Sequence, residues 1–186
     1  MRLARHIPNL LTVLRLAAAP LTAYLLLEGR FTIAFAVFAF AALTDAADGY
    51  LAKRFNVRTR FGVYLDPAAD KLLMLISFVV LTAISIVPLW LTALVVTRDA
   101  AIIGAVLVAK YFGLPLDIQP QPLGKACTFV QVSYVTLMLL SLMLNVDPGL
   151  LGYGAAVVTA MLTLASGLSY GHVWVRALFL RHSRPA

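Results

Sequence analysis

Residues 44–71 read TDAADGYLAKRFNVRTRFGVYLDPAADK and hold four of the eight acidic residues in a chain of 186. Asp45 and Asp48 stand three apart, and Asp66 and Asp70 stand four apart. On helices, each spacing puts both carboxylates on one face, a turn from each other. Gly49 and Ala52 extend the first stripe, and Gly62 opens the second at i, i+4 with Asp66. Two helices joined by a short basic loop would each show two carboxylates and small residues to the other. That arrangement suits a metal site that a bulky anionic substrate approaches closely.

On either side of this stretch the chain is apolar. It is 62% hydrophobic and 12% charged, with mean hydropathy +0.92. Soluble domains carry about 25% charged residues and about 45–50% apolar ones. The expectation is an all-α integral membrane protein, one domain over residues 1–186. The net charge of +7 comes with no nucleic-acid-binding motif and reads as lipid-facing flank charge, so no nucleic-acid partner is expected. Cys127 is the sole cysteine and lies in an apolar run, which reads as a buried inert thiol. No cleavable signal is expected, because the first apolar run leads into a full span.

In order, residues 1–7 form a basic interfacial lead with Arg2, Arg5 and His6. Spans are expected at about 9–27, 31–51, 62–86, 88–112, 124–144 and 150–170. Arg15 and Pro20 interrupt the first, and Arg15 either reaches a cavity or snorkels. Lys53 to Arg60 reads as a basic loop, and 113–123, with three prolines, as another loop. The segment 145–149 is a turn signal, and 172–186 is a basic tail with Arg176, Arg181 and Arg184. Gly149, Gly152 and Gly154 read as sites of close helix packing. His6, His172 and His182 read as interfacial, and Trp90 and Trp174 as part of aromatic belts.

Six spans with the N-terminus inside leave Arg2, Arg5, Lys53, Arg54, Arg58, Arg60, Lys110, Lys125, Arg176, Arg181 and Arg184 on the cytoplasmic side, against Arg30 outside. The four aspartates then lie near the cytoplasmic face, where nucleotide-activated substrates are found. Carboxylates in a membrane cost at least ~2.5–3.5 kcal/mol each near its centre. Their mutual repulsion neutralises some of them unless cations are present. The cluster contains no His or Cys, which argues for hard divalent cations, Mg²⁺ or Mn²⁺, over zinc. Two such metals would serve a phosphoryl-type displacement, with Lys53 and Arg54 beside them to offset phosphate charge. The plainer alternative pairs these aspartates with loop cations or uses them in an ion path.

At these residues the sequence resembles the CDP-alcohol phosphatidyltransferase family. The family signature is Asp-x-x-Asp-Gly-x-x-Ala-Arg, a gap, then Gly-x-x-x-Asp-x-x-x-Asp. Asp45, Asp48, Gly49, Ala52, Gly62, Asp66 and Asp70 match it in type and spacing. Lys53 departs from it, keeping the charge but losing the bidentate fork of arginine. The opening Ile-Pro-Asn-Leu-Leu-Thr with Arg15 resembles the family's first span, so the likeness covers nearly the whole chain.

The resemblance implies six transmembrane helices in one bundle with a cytoplasm-facing polar cavity, in a homodimer, in the bacterial inner membrane. It implies CDP-diacylglycerol as donor, an alcohol acceptor and release of CMP. Asp45, Asp48, Asp66 and Asp70 would hold two divalent cations, with Asp70 also the general base. Asp48, Gly49, Ala52, Lys53 and Gly62 would face the CDP moiety. Two branches fit: CMP-forming cardiolipin synthases, using phosphatidylglycerol, and phosphatidylglycerophosphate synthases, using glycerol 3-phosphate. Thr97-Arg98-Asp99, residues 115–120 and residues 166–170 resemble the first branch, and Gly124-Lys125 the second. The expectation is the first. Arg98, Lys110 and Lys125 are candidates for the acceptor's phosphate, against readings as flank charge and an interhelical Arg98–Asp99 contact. A transporter would show an internal repeat or helices interrupted in matching places, and the sequence shows neither.

Overall fold

A computed structural model describes residues 7–55, 62–111 and 122–182, and the side chains of 12–44, 69–109, 111 and 122–171. The lead 1–6, most of the two loops (56–61 and 112–121) and the end of the tail lie outside the described residues. Among the described residues there are six helices: α1 Ile7–Leu27, α2 Phe31–Phe55, α3 Gly62–Ala83, α4 Leu89–Tyr111, α5 Pro122–Leu144 and α6 Gly149–His182. The stretches Leu89–Ala109, Pro122–Leu144 and Gly149–Gly171 are long and apolar enough to cross a membrane, and Thr12–Leu27 and Phe31–Thr44 are shorter apolar helices. The chain is a multi-pass membrane protein by this measure. Its outward residues agree, with Leu107, Phe129, Leu150 and Leu168 all more than 60% exposed.

Local chemistry explains where the helices stop. Gly29 takes φ +71°, its N–H donating to the Leu26 carbonyl at 3.1 Å while Arg30 N–H donates to Leu25 at 2.8 Å. This is a Schellman ending, which satisfies carbonyls that a helix end leaves open. The same pattern closes α3 at Ser85 (φ 63°) and α5 at Asn145 (φ 53°). At the start of α6, Asp147 Oδ1 accepts from Gly149 N–H at 2.9 Å, an Asx-type turn.

Two boundaries differ from the sequence reading, and one expected interruption leaves its helix whole. Pro20 lies inside α1 without ending it. One missing donor is tolerated where the rest of the helix keeps its ladder. Helix α2 runs on through Lys53 and Arg54 to Phe55, so the loop begins later than expected. Helix α6 continues to His182, because polar residues end an apolar span but do not stop a helix.

Two compact units make up the chain, Met1–Pro88 with Val135–Gly149, and Leu89–Tyr134 with Leu150–Ala186. In the first, α1 packs against both α2 and α3. Its buried stripe is Thr12, Arg15, Ala19, Thr22 and Leu26, alternating three and four residues apart. Ala34, Phe38 and Ala41 are buried on α2, and Ala69, Leu73, Ser77 and Leu81 on α3. On α3, Ser77 Oγ donates to the Leu73 carbonyl at 2.7 Å, whereas on α1 the buried Thr22 Oγ1 has no hydrogen-bond partner among the described residues.

In the second unit, α5 and α6 share a buried polar contact. Gln131 Nε2 donates to Thr163 Oγ1 at 3.3 Å and to Cys127 Sγ at 3.4 Å. Thr163 in turn donates to the Thr159 carbonyl at 2.7 Å. Such hydrogen bonds between spans fix which faces meet. Cys127 is buried and free, as expected. The expected close packing at Gly149 and Gly154 is not found, since a Cβ at either would meet nothing within 4 Å.

Candidate functional site

Helical backbone runs unbroken through both acidic pairs. Asp45, Asp48, Gly49, Ala52 and Lys53 all lie on α2, and Gly62, Asp66 and Asp70 on α3. Positions 45 and 48, and 66 and 70, are therefore one helical turn apart, as their spacing requires. The side chains of residues 45–68 lie outside the described ones. Asp70 is half-buried, beside the fully buried Ala69. Among the described residues, no three His, Cys, Asp or Glu side chains form a group that could hold a metal.

On α1, Arg15 is the one charged residue of the buried stripe. The residue is 2% exposed, so of the two readings offered by the sequence, snorkelling to the surface is not the one adopted. Arg15 lies at one end of a groove of about 380 Å³ between α1 and α2. Leu14, Leu21, Val37 and Phe40 line it together with the small residues Ala17, Ala18, Ala36 and Ala41. Thr44, the residue before Asp45, lies at the same end as Arg15. Nothing in the sequence reading singled this groove out; the alanines spaced along α1 and α2 were its only trace.

Arg98 occupies the second unit, and its surroundings are well defined. Its Nη1 donates to Asp99 Oδ1 at 2.6 Å, and its Nη2 to Ser166 Oγ on α6 at 2.5 Å. The guanidinium carbon stands 5.8 Å from the Tyr170 ring centroid, within cation–π range. Its Nε is buried with no hydrogen-bond partner among the described residues. Gly124 and Gly167 make room for this cluster. A Cβ at Gly124 would stand 3.2 Å from the Tyr170 hydroxyl and 3.7 Å from Arg98 Nη2, and one at Gly167 would stand 3.6 Å from Arg98 Cγ. Arg98 and Asp99 are thus neighbours on one helix, and the contact between helices goes to Ser166.

Ser166 and Tyr170 belong to the stretch 166–170 already noted for its resemblance, and their i, i+4 spacing puts both on the face of α6 that meets Arg98. Lys125 is exposed in the first turn of α5. Lys110 lies on α4, with its side chain outside the described ones.

Comparison with known proteins bears on the same residues. The profile of the CDP-alcohol phosphatidyltransferase family matches residues 5–175. A Homo sapiens protein named cardiolipin synthase (CMP-forming) is 35% identical over 182 residues, covering 89% of this chain and 60% of that protein. The chain thus spans about three fifths of that relative's length. A Streptomyces coelicolor protein of the same name is 40% identical over 141 residues, covering 73% of this chain and 65% of that one. A Pseudomonas fluorescens protein named CDP-diacylglycerol–glycerol-3-phosphate 3-phosphatidyltransferase is 37% identical over 177 residues, covering 89% and 88%. The match over residues 5–175 and the likeness to relatives of nearly full coverage show that this chain belongs to the CDP-alcohol phosphatidyltransferase family of enzymes.

Proposed function

We propose that the protein transfers a phosphatidyl group from CDP-diacylglycerol to an alcohol, releasing CMP, in phospholipid biosynthesis. The observation that carries this reading is the pair of unbroken helices bearing Asp45, Asp48, Asp66 and Asp70 at one-turn spacing, in a chain of this family. These residues fit a divalent-cation site, for they offer only carboxylate oxygens. Two ions, Mg²⁺ or Mn²⁺, held by the four aspartates would offset charge on the donor's diphosphate.

The remaining work falls to side chains of this chain. Asp70 takes the proton from the acceptor hydroxyl, whose oxygen forms the new bond to the phosphatidyl phosphorus. The bond from that phosphorus to the CMP oxygen breaks, and CMP departs with the electron pair. Gly49, Ala52 and Gly62 leave room for the CDP moiety against the helix backbone, beside Asp48. Lys53 neutralises diphosphate charge as a point cation without the bidentate geometry of arginine. Arg98, Lys110 and Lys125 supply positive charge for a phosphate-bearing acceptor. All six helices cross the bilayer with the N-terminus inside, in a homodimer, and a polar cavity opens to the cytoplasm of a bacterial cell.

Phosphatidylglycerol is the acceptor we favour, on the residues Thr97-Arg98-Asp99 and 166–170 and the relatives named cardiolipin synthase. Glycerol 3-phosphate is the second reading, favoured by Gly124-Lys125 and by the Pseudomonas relative of nearly equal length. The test is CMP release by purified protein with Mg²⁺ or Mn²⁺, CDP-diacylglycerol and each acceptor in turn. Release with phosphatidylglycerol alone supports the first reading, and release with glycerol 3-phosphate alone replaces it with the second. Silence with both, in protein that is folded, overturns both acceptors.

A further inference from the structure

The Arg98–Asp99 ion pair of α4 lies against the first turn of α5. Arg98 Nη1 donates to Asp99 Oδ1 at 2.6 Å, and the two side chains are 7% and 18% exposed. Arg98 Nη2 stands 3.7 Å from the place a Cβ on Gly124 would take. Lys125 follows Gly124 in that turn and is exposed. All of these residues belong to the second unit.

The three cations proposed for the acceptor's phosphate do not count equally here. Arg98 is held on both terminal nitrogens, by Asp99 and by Ser166, so it is not free to swing toward a ligand. The adjacent carboxylate also cancels its charge at short range. Position 110 lies twelve residues further along α4, about 18 Å at 1.5 Å per residue. That is beyond the ~10 Å over which exposed charges act in salt. One net positive charge is left among the described residues of this cluster, and Lys125 is the group that a solute reaches.

A phosphate held beside Lys125 is matched when it carries one negative charge. A phosphodiester is such a monoanion. A phosphate monoester loses its second proton at a pH of about 6 and above neutrality carries close to two charges. Its second charge would stand near the Asp99 carboxylate, where water is largely excluded, with no cation to offset it.

We propose that Asp99 is a specificity-determining residue: by cancelling the charge of Arg98 it restricts the acceptor to a phosphodiester, such as a glycerophospholipid head group, and disfavours a phosphate monoester. This rests on the phosphatidyl-transfer reading above, with Lys125 beside the acceptor's phosphate, and derives the acceptor's class from charge.

Asp99→Asn tests it, since the amide keeps the shape of the carboxylate and an accepting oxygen for Arg98 but not the charge. The ratio of kcat/KM for phosphatidylglycerol, a diester, to that for glycerol 3-phosphate, a monoester, is measured at about pH 8. The wild type is expected to favour the diester. Asp99→Asn is expected to lower the ratio about tenfold, or to admit glycerol 3-phosphate where the wild type does not use it. A wild type that favours glycerol 3-phosphate, or a ratio that Asp99→Asn leaves unchanged, overturns the proposal.

A second measurement does not depend on turnover. The melting temperature of the full-length protein is followed at the same pH with dimethyl phosphate, a monoanion, and with methyl phosphate, a dianion, at matched ionic strength. The wild type should gain more from dimethyl phosphate, and Asp99→Asn more from methyl phosphate. Equal gains in both proteins, or none with either anion, overturn the proposal. Lys125→Gln is an exposed change that leaves the buried pair alone, and it serves even where Asp99→Asn does not fold. It should lose the response to both anions, and a response kept in full overturns the proposal. A selectivity that shifts in Asp99→Asn, on a protein that releases no CMP, would count against the transfer reading and leave the charge selection standing. CMP release with a selectivity that Asp99→Asn does not alter would leave the transfer reading standing and remove Asp99 from its role.

Discussion

Arg98 Nη2 on α4 donates to Ser166 Oγ on α6 at 2.5 Å, tying together two helices 68 residues apart in sequence. The arginine side chain is 7% exposed and its neighbour Asp99 18%, so the ion pair between them is largely shielded from water. Removing one partner of such a pair leaves a charge with poor solvation and costs about 3–5 kcal/mol. Arg98→Ala should therefore lower the unfolding temperature in detergent sharply. Ser166→Ala leaves a buried guanidinium N–H without its acceptor and should cost about 1.5–3 kcal/mol. A melting curve for Arg98→Ala that overlays the wild type would show that the cluster contributes nothing to stability.

Gly124 and Tyr170 should be coupled. An added methyl at position 124 stands 3.2 Å from the Tyr170 hydroxyl, so that oxygen must yield by a few tenths of an ångström. Gly124→Ala brings better helix propensity but displaces the hydroxyl. Tyr170→Phe removes the atom that is in the way. The double variant should be more stable than the sum of the single changes predicts, by about 0.5 kcal/mol or more. Strict additivity in a double-mutant cycle would mean the tyrosine moves aside without cost.

How far the sequence carries this molecule depends on the range of the interaction. Helix positions are short-range properties, and runs such as 31–51 and 124–144 locate α2 and α5 to within a few residues. The acidic positions are also short-range, since i, i+3 and i, i+4 spacing needs only one helix. The partner of Arg98 is different: Ser166 depends on which faces of α4 and α6 meet, and no local pattern states that. Gly149 and Gly154 fail for the same reason, because small residues permit close approach without causing it. At Gly149 the backbone instead takes φ 47°, a conformation for which glycine is suited.

Ser85 ends α3 in the left-handed conformation, φ 63°, where a Cβ is unfavourable. Gly29 fills the equivalent place after α1 without that cost. Ser85→Gly should stabilise the protein by up to about 1 kcal/mol, offset in part by the freedom glycine gives the unfolded chain. The measurement is the unfolding midpoint, and a clear loss of stability would show that the serine side chain contributes more than its backbone costs.

Cys127 gives a direct report on the α5–α6 packing. It is 1% exposed, with Gln131 and Thr163 as polar neighbours. A water-soluble maleimide should leave the folded protein unlabelled and modify it stoichiometrically after denaturation, as read by intact mass. Thr163→Val removes a partner of the Gln131 amide, at a cost of about 0.6–1.7 kcal/mol for a hydrogen bond between membrane helices. It should also speed labelling under mild heating. Rapid labelling of the native wild type would contradict the packing around Cys127.

The aspartates separate the proposed chemistry from mere structure. If Asp70 is the general base, Asp70→Asn should reduce CMP release by about 10²–10⁴-fold, while the protein still inserts and melts as a folded species. If Asp45, Asp48 and Asp66 hold metal, their Asn variants should require more Mn²⁺ for half-maximal activity, and chelation of the wild type should abolish activity until Mg²⁺ or Mn²⁺ is restored. The ion-path alternative makes a different forecast: Asn variants would leave CMP release intact and metal-independent. Metal titrations followed by both activity and thermal stability discriminate between them, because carboxylates that bind a cation in the folded state transfer part of its binding energy to stability. A wild-type melting temperature that rises with Mn²⁺, and an Asp66→Asn temperature that does not, is the outcome expected. Equal responses in both proteins would remove Asp66 from the metal site.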